Sequence, residues 1–208
     1  MFTTEACQAI VKEHPRSQEI SEVDKIKRYV FFKYRYGTSG FRGHHRTLDS
    51  VMVRVGLLAA LRSLCLNGQA VGIMVTASHN DECDNGVKII DPSGEMLDTS
   101  WEATATRIAN MPEDEVLTFL QSKCDEAKCD ETRAAVFIGR DTRPHSERFA
   151  QMVAKAANAV GVEVVLRFVT VSHSLCNIRC ANPKTETSER RPLRSCTLSC
   201  AKPMPTRT

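Results

Sequence analysis

Apolar positions along the chain switch between short β-branched runs and helical stripes, and each switch is marked by a turn signal. The run 71–75, V-G-I-M-V, stops abruptly at Thr76-Ala77-Ser78-His79-Asn80. That pattern predicts a buried strand with a polar loop at its carboxyl end, where ligands collect in open α/β sheets. A second strand is predicted over 87–90, after Asp84-Asn85-Gly86, a turn signal whose glycine can take positive φ. The hairpin-like return brings Ser78 and Lys88 near each other. Farther on, 134–139 reads as a buried strand and 162–171 as another. Between them, 146–160 is a helix with Phe149, Met152, Val153, Ala156 and Val160 inward. Strand, helix, strand in that order is a βαβ unit with a right-handed crossover and parallel strands.

The segment 49–66 is a helix capped by Asp49 or Ser50. It places Val51, Val55, Leu58, Leu61 and Cys65 on one face and ends at Asn67-Gly68. Residues 99–110 form another, capped by Thr99 or Ser100, and Pro112 separates it from an amphipathic stretch over 113–124 with Val116, Phe119 and Leu120. In 3–30 the apolar residues Ile10, Val11, Ile20, Val23, Ile26 and Val30 fit a helical face broken by His14-Pro15, which predicts two short helices. The fold class is therefore α/β, a mixed sheet with helices on its faces. Residues 1–33 read as an N-terminal helical extension, 34–170 as the α/β domain, and 171–208 as a tail.

Composition changes this picture mainly at the tail. With 208 residues, 42% hydrophobic and 25% charged, the chain is long enough to bury a core and ordinary in make-up. Net charge is +3, but 171–208 holds seven Lys or Arg against two Asp or Glu, leaving the first 170 residues with 21 basic and 23 acidic. A near-neutral body argues against nucleic-acid binding. The tail, rich in Ser, Thr, Arg, Pro and Cys, has little apolar period to bury and is expected to be largely disordered, with the make-up of an alternative reading frame or unspliced intron. No run of 18 apolar residues occurs and no signal-peptide core opens the chain, so a cytoplasmic protein without membrane contact is expected. Nine cysteines at irregular spacing are expected to stay reduced. Neither Cys124 and Cys129, nor the pairs Cys176/Cys180 and Cys196/Cys200, nor the adjacent His44-His45 match common metal-ligand spacings.

Three segments carry candidate chemistry. Tyr36-Gly37-Thr38-Ser39-Gly40-Phe41-Arg42-Gly43 combines a sharply bent, closely approachable backbone with a planar cation suited to phosphate oxygens. T-A-S-H-N at 76–80 is followed by D-N-G-V-K at 84–88 and G-E-M-L at 94–97. The third is Gly139-Arg140-Asp141-Thr142-Arg143-Pro144, again at a strand's carboxyl end. Each also has a plain structural reading: a turn, a glycine hairpin, a loop tied by an Arg to Asp pair. Together they resemble the signatures of the α-D-phosphohexomutases. The order, with Ser78 ahead of Arg140, resembles the eukaryotic phosphoacetylglucosamine mutase branch of that family. The likeness spans about 34–169.

The resemblance implies the first domain of that fold and an isomerase in which Ser78 carries a phosphoryl group. Lys88 and Arg42 would offset developing charge or assist proton transfer, and His79 would contact the reacting oxygens. Asn80, Arg140, Asp141 and Arg143 would bind a hexosamine phosphate substrate. One Mg²⁺ would bridge the Ser78 phosphate and about three carboxylates. The family's D-x-D-x-D-R-like metal loop, sugar-binding loop and terminal phosphate-binding loop do not occur here. Two alternatives therefore stand beside the enzyme: a non-catalytic truncated domain, or a related phosphoglucomutase or phosphomannomutase. A Ser78-His79 hydrolase fails, because adjacent side chains on an extended segment point apart and there is no G-x-S-x-G elbow.

Overall fold

The computed structural model describes residues 2–23, 26–129, 133–160 and 163–170. Its centre is a five-stranded sheet of β3 (Phe41–His44), β4 (Ala70–Val75), β5 (Asp84–Ile90), β6 (Arg133–Arg140) and β7 (Glu163–Thr170), in the order β3-β5-β4-β6-β7. β5 runs antiparallel to both β3 and β4, whereas β4, β6 and β7 are parallel, which makes the sheet mixed. The parallel half follows from the βαβ unit β6–α5–β7, with α5 spanning Ser146–Ala159. All six positions of β4 are buried, which explains its unbroken apolar run.

The helix α2 (Asp49–Cys65) lies against the sheet and is packed in turn by α1 (Glu5–Glu13), α3 (Thr99–Asn110), α4 (Glu113–Glu126) and α5. Fourteen of its 17 residues are buried, so it has no single buried stripe as the sequence suggested. Even Arg54 is only 2% exposed. Its guanidinium donates to Ala109 O and Met111 O and pairs with Glu113 at 3.1 Å, closing the C-terminal end of α3.

Three local expectations change. The second N-terminal helix is instead a hairpin of β1 (Gln18–Val23) and β2 (Ile26–Phe31), whose β-branched Ile20, Val23, Ile26 and Val30 favour extended backbone. α1 shares the main core through Cys7, Ile10 and Val11, and Thr4 Oγ1 donates to Ala159 O at 2.8 Å. The helix caps sit one residue earlier than the composition suggested. Leu48 precedes α2 without a side-chain cap, and Asp98 caps α3 by accepting from Ser100 N–H. Asp84-Asn85-Gly86 is not a turn but the first part of β5, and Gly86 is needed for closeness. A Cβ there would lie 2.4 Å from Phe41 O and 2.6 Å from Arg42 Cδ. The tail 171–208 lies outside the described residues.

Candidate active-site loop

β4, the central strand, delivers Ser78 to the sheet's carboxyl end. Thr76 N–H makes the last bond to β5, donating to Gly86 O at 3.0 Å, and Ala77 is still buried. Ser78, His79 and Asn80 then emerge exposed. The loop is tightened by Asn80 N–H to Ala77 O (2.8 Å), Asp84 N–H to Asp81 O (3.0 Å) and Asn80 Nδ2 to Asp84 Oδ2 (3.0 Å).

Arg143, from the neighbouring β6–α5 loop, supports it from beneath. Nη1 donates to Asp81 O (2.6 Å) and Asp84 O (3.1 Å), Nη2 to Ala77 O (2.6 Å) and Asn80 O (3.0 Å), and Nε to Asp141 Oδ2 (3.3 Å). A guanidinium has five N–H donors, and here all five have acceptors. Asp141 is equally committed. It accepts from Thr76 Oγ1 (2.8 Å), Arg143 N–H (3.1 Å) and Ser146 Oγ. Burial alone would raise its carboxyl pKa, but the bonds from Ser146, the Arg143 amide and Thr76, with the Arg143 charge, hold it below the usual range.

A second strut comes from His145. Asn85 Oδ1 accepts from Gly86 N–H (2.8 Å), which turns the amide's NH₂ end toward His145 Nδ1 (2.7 Å) and Ser146 Oγ (2.9 Å). Nδ1 is therefore the acceptor, and Nε2–H donates to Glu82 O at 3.0 Å. The imidazole is fixed as one neutral tautomer. Its pKa is lowered, first by burial and then by the nearby His45 and Arg143 charges. His45, expected on the surface, is half-buried and stacked between His44 and His145, with ring centroids 4.6 Å apart on each side.

This arrangement has a pH consequence. The unfolded histidine takes up its proton near pH 6.5 and the folded one only at lower pH, so the unfolded state binds more protons in that window. The strut's contribution is complete above about pH 6.5 and is lost as pH falls through the folded value. The urea midpoint of the protein is expected to drop between about pH 7 and pH 5.5, and the drop to be flatter in His145→Gln. Equal slopes in the two proteins would contradict the strut.

The glycine hairpin bearing Arg42 is seated on β5. Gly37 and Gly40 pair, and Gly40 N–H donates to Gly37 O at 2.8 Å. Tyr36 lies buried edge-on to Phe41, and its hydroxyl oxygen accepts from Ile89 N–H at 2.8 Å. Burial pushes that phenol up to about 12. Arg42 stands opposite Gly86 in the β3–β5 register, so Arg42 and Lys88 share one face of the sheet, both half-buried.

The fold thus groups the predicted residues unevenly. Ser78, Asn80 and Arg143 line one open cavity of about 380 Å³ with Glu82, Thr142 and Pro144. Arg42, Lys88 and His79 do not line it. A wider depression of about 840 Å³ adjoins it through Glu82 and Pro144 but lacks Ser78, so the smaller cavity is the one relevant to chemistry at that hydroxyl. Arg140 is drawn toward Glu147 on α5. Asp141 and Arg143 also carry a role the sequence did not assign them: their polar atoms bond the loop and hold it in position. Thr76, Asn85, His145 and Ser146 had no recognised role in the sequence. Thr76 and Asn85 stand inside the T-A-S-H-N and D-N-G-V-K segments, whereas the only sequence signal of His145 and Ser146 is that they follow G-R-D-T-R-P directly.

Residues 45–116 and 105–172 match the family described as phosphoglucomutase/phosphomannomutase, alpha/beta/alpha domain I. Among curated proteins, the human phosphoacetylglucosamine mutase is 50% identical over 130 residues, covering 61% of this chain and 23% of the relative. The Arabidopsis thaliana phosphoacetylglucosamine mutase is 44% identical over 144 residues, or 67% and 25% of the two chains. The chain therefore spans about a quarter of the length of these relatives. Among solved structures, an apo N-acetylglucosamine-phosphate mutase of the α-D-phosphohexomutase superfamily superimposes with a TM-score of 0.70 at 32% identity, covering 80% of this chain and 34% of that one. The Aspergillus fumigatus N-acetylphosphoglucosamine mutase in complex with GlcNAc-6P and magnesium gives 0.60 at 43%, covering 66% and 25%.

Proposed function

The chain belongs to the α-D-phosphohexomutase family through its phosphoglucomutase/phosphomannomutase domain I, and from that premise we propose that it is the phosphoserine-bearing part of an enzyme interconverting N-acetylglucosamine 6-phosphate and 1-phosphate. The observation that carries this reading is the exposed Ser78 on a loop whose backbone is held from below by a saturated guanidinium. Phosphoryl transfer asks little covalent work of a protein and much positioning, which such a loop supplies.

In the proposed cycle the bond from Ser78 Oγ to phosphorus breaks as one forms to a sugar hydroxyl oxygen, and that hydroxyl's proton ends on the departing Ser78 Oγ. The resulting bisphosphate reorients, and Ser78 Oγ regains a phosphoryl group from the other sugar oxygen. Arg42 and Lys88, on one sheet face, would offset the developing negative charge or assist the proton transfer, and His79 and Asn80 at the loop's crown would meet the reacting oxygens. Arg140 remains a candidate contact for the substrate phosphate.

Magnesium accompanies the substrate in the Aspergillus fumigatus relative. In this chain its contact would be the phosphate on Ser78. Among the described residues no three His, Cys, Asp or Glu side chains converge to hold a metal ion, so these residues by themselves do not make the site. That finding favours a second reading, in which the described residues accept phosphate on Ser78 without completing the metal site themselves. Among the described residues no helix is long and apolar enough to cross a membrane. The compartment we propose is the cytoplasm, where nine irregularly spaced cysteines would stay reduced.

The two readings separate in one experiment. The chain is incubated with N-acetylglucosamine 1,6-bisphosphate and then assayed with Mg²⁺ and N-acetylglucosamine 6-phosphate, with intact mass read in parallel. One phosphoryl group is expected on the wild type, mapped to Ser78, and none on Ser78→Ala. Turnover lost in the mutant supports the enzyme, and phosphate without turnover supports the accepting domain. A chain that takes up no phosphate at Ser78 contradicts both.

A further inference from the structure

Cys65 and Cys129 are far apart in sequence and meet where two helices end. At the end of α2, Gly68 N–H donates to Ser63 O (2.9 Å) and Asn67 N–H to Leu64 O (3.1 Å), with Asn67 in the left-handed region at φ 56. At the end of α4, Cys129 N–H donates to Cys124 O (3.0 Å) and Lys128 N–H to Asp125 O (3.1 Å), with Lys128 at φ 50. Both are the same reversing cap, in which a left-handed residue after the helix folds the chain back over its last turn, and at α2 Gly68 follows in that region too at φ 72. The first cap fixes Cys65 as the last residue of α2, and the second turns Cys129 back over α4. Their sulfurs lie 3.2 Å apart, and both residues are half-buried. Cys124, on the last turn of α4, is buried.

We propose that Cys65 and Cys129 are a modification site, forming a reversible disulfide when the protein meets a peroxide. The two thiols are oxidised and the peroxide is reduced. Two S–H bonds and the O–O bond break, one S–S bond forms, and hydrogen peroxide leaves as two waters. The sulfurs have to approach by about 1 Å to reach bonding distance, a movement on the scale of side-chain rotation. Cys124 also lies in hydrogen-bond contact with Cys129, but at 3% exposure its thiol is shielded from the oxidant and it stays reduced. The reaction needs one partner as thiolate, and burial raises the Cys65 thiol above its ordinary value, so the rate climbs with pH. The cross-link would tie together both ends of the segment that contains β4, the Ser78 loop, β5, α3 and α4, restricting the unfolded chain. This inference does not depend on the reaction proposed for Ser78.

The test treats the 208-residue chain with hydrogen peroxide, caps remaining thiols with N-ethylmaleimide, and digests it without reductant. A peptide pair joining Cys65 to Cys129 is expected. The thermal midpoint should rise by about 10 °C and return on adding dithiothreitol. Cys124→Ser should behave as the wild type, and Cys129→Ser should lose the rise. The proposal is overturned if both thiols are still capped under conditions that oxidise the exposed Cys83, or if the disulfide formed includes Cys124 or a second chain. Peptide mapping of the wild type decides this even where a serine variant folds poorly.

Discussion

Arg143→Ala is expected to destabilise the protein by about 3–5 kcal/mol, the range for removing one partner of a buried ion pair. The reason lies in the acceptors left behind. Asp141, 2% exposed, would lose the cation beside it. The carbonyls of Ala77, Asn80, Asp81 and Asp84 would lose the donors that draw them inward, and an orphaned buried acceptor costs about 1–3 kcal/mol. Arg143→Lys should recover only a minor part. An ammonium has three donors in place of five and lacks the planar fork that reaches acceptors on several sides. The checks are urea denaturation and amide hydrogen exchange over 77–84, with phosphoryl uptake at Ser78 expected to fall alongside. Loop exchange unchanged from the wild type in Arg143→Ala would show that the guanidinium does not hold the loop.

The second large effect is predicted at Gly40. Its φ is +77, and an added Cβ would lie 2.2 Å from Val87 O and 2.8 Å from Lys88 Cα, contacts that only a backbone shift relieves. Left-handed strain costs about 1–2 kcal/mol and overpacking about 1–3 kcal/mol, so Gly40→Ala should cost about 3 kcal/mol. The shift would also lift the hairpin from β5 and disturb the shared placement of Arg42 and Lys88 on one sheet face. Gly37→Ala provides the comparison in the same hairpin, since an added Cβ there meets nothing within 4 Å. Its denaturation midpoint should stay close to the wild type. Similar losses at both positions would mean that the hairpin needs glycine for flexibility and not for close approach.

These two residues also mark how far the sequence could be read. Gly40 was legible as a site of close approach because three glycines within seven residues leave few other uses for such a backbone. What it approaches, the β5 backbone at Val87 and Lys88, was not. Arg143 was legible as a cation at the end of a strand, and the resemblance made it a substrate contact. Its five acceptors lie 59 to 66 residues away along the chain, except for Asp141 beside it. Near the N-terminus, β-branched residues at Ile20, Val23, Ile26 and Val30 satisfy a helical period loosely and a strand pattern as well. Pairing across the hairpin selected the strand.

The sequence by itself determined the buried strand β4, the βαβ unit, the helices α2 to α5 and the exposed polar loop that carries Ser78. Each depends on apolar period and turn chemistry within some 10 to 20 neighbouring residues, and such patterns are local. Only the tertiary structure decided that Asp84 begins a strand, that α2 is buried on nearly every side, that His145 stands as a neutral strut, and that Arg143 and Asp141 face the loop and not the solvent. Those outcomes turn on which donors meet which acceptors when distant strands lie side by side. A hydrogen-bonding side chain has the same local signature whether its partner is a substrate phosphate or a backbone carbonyl.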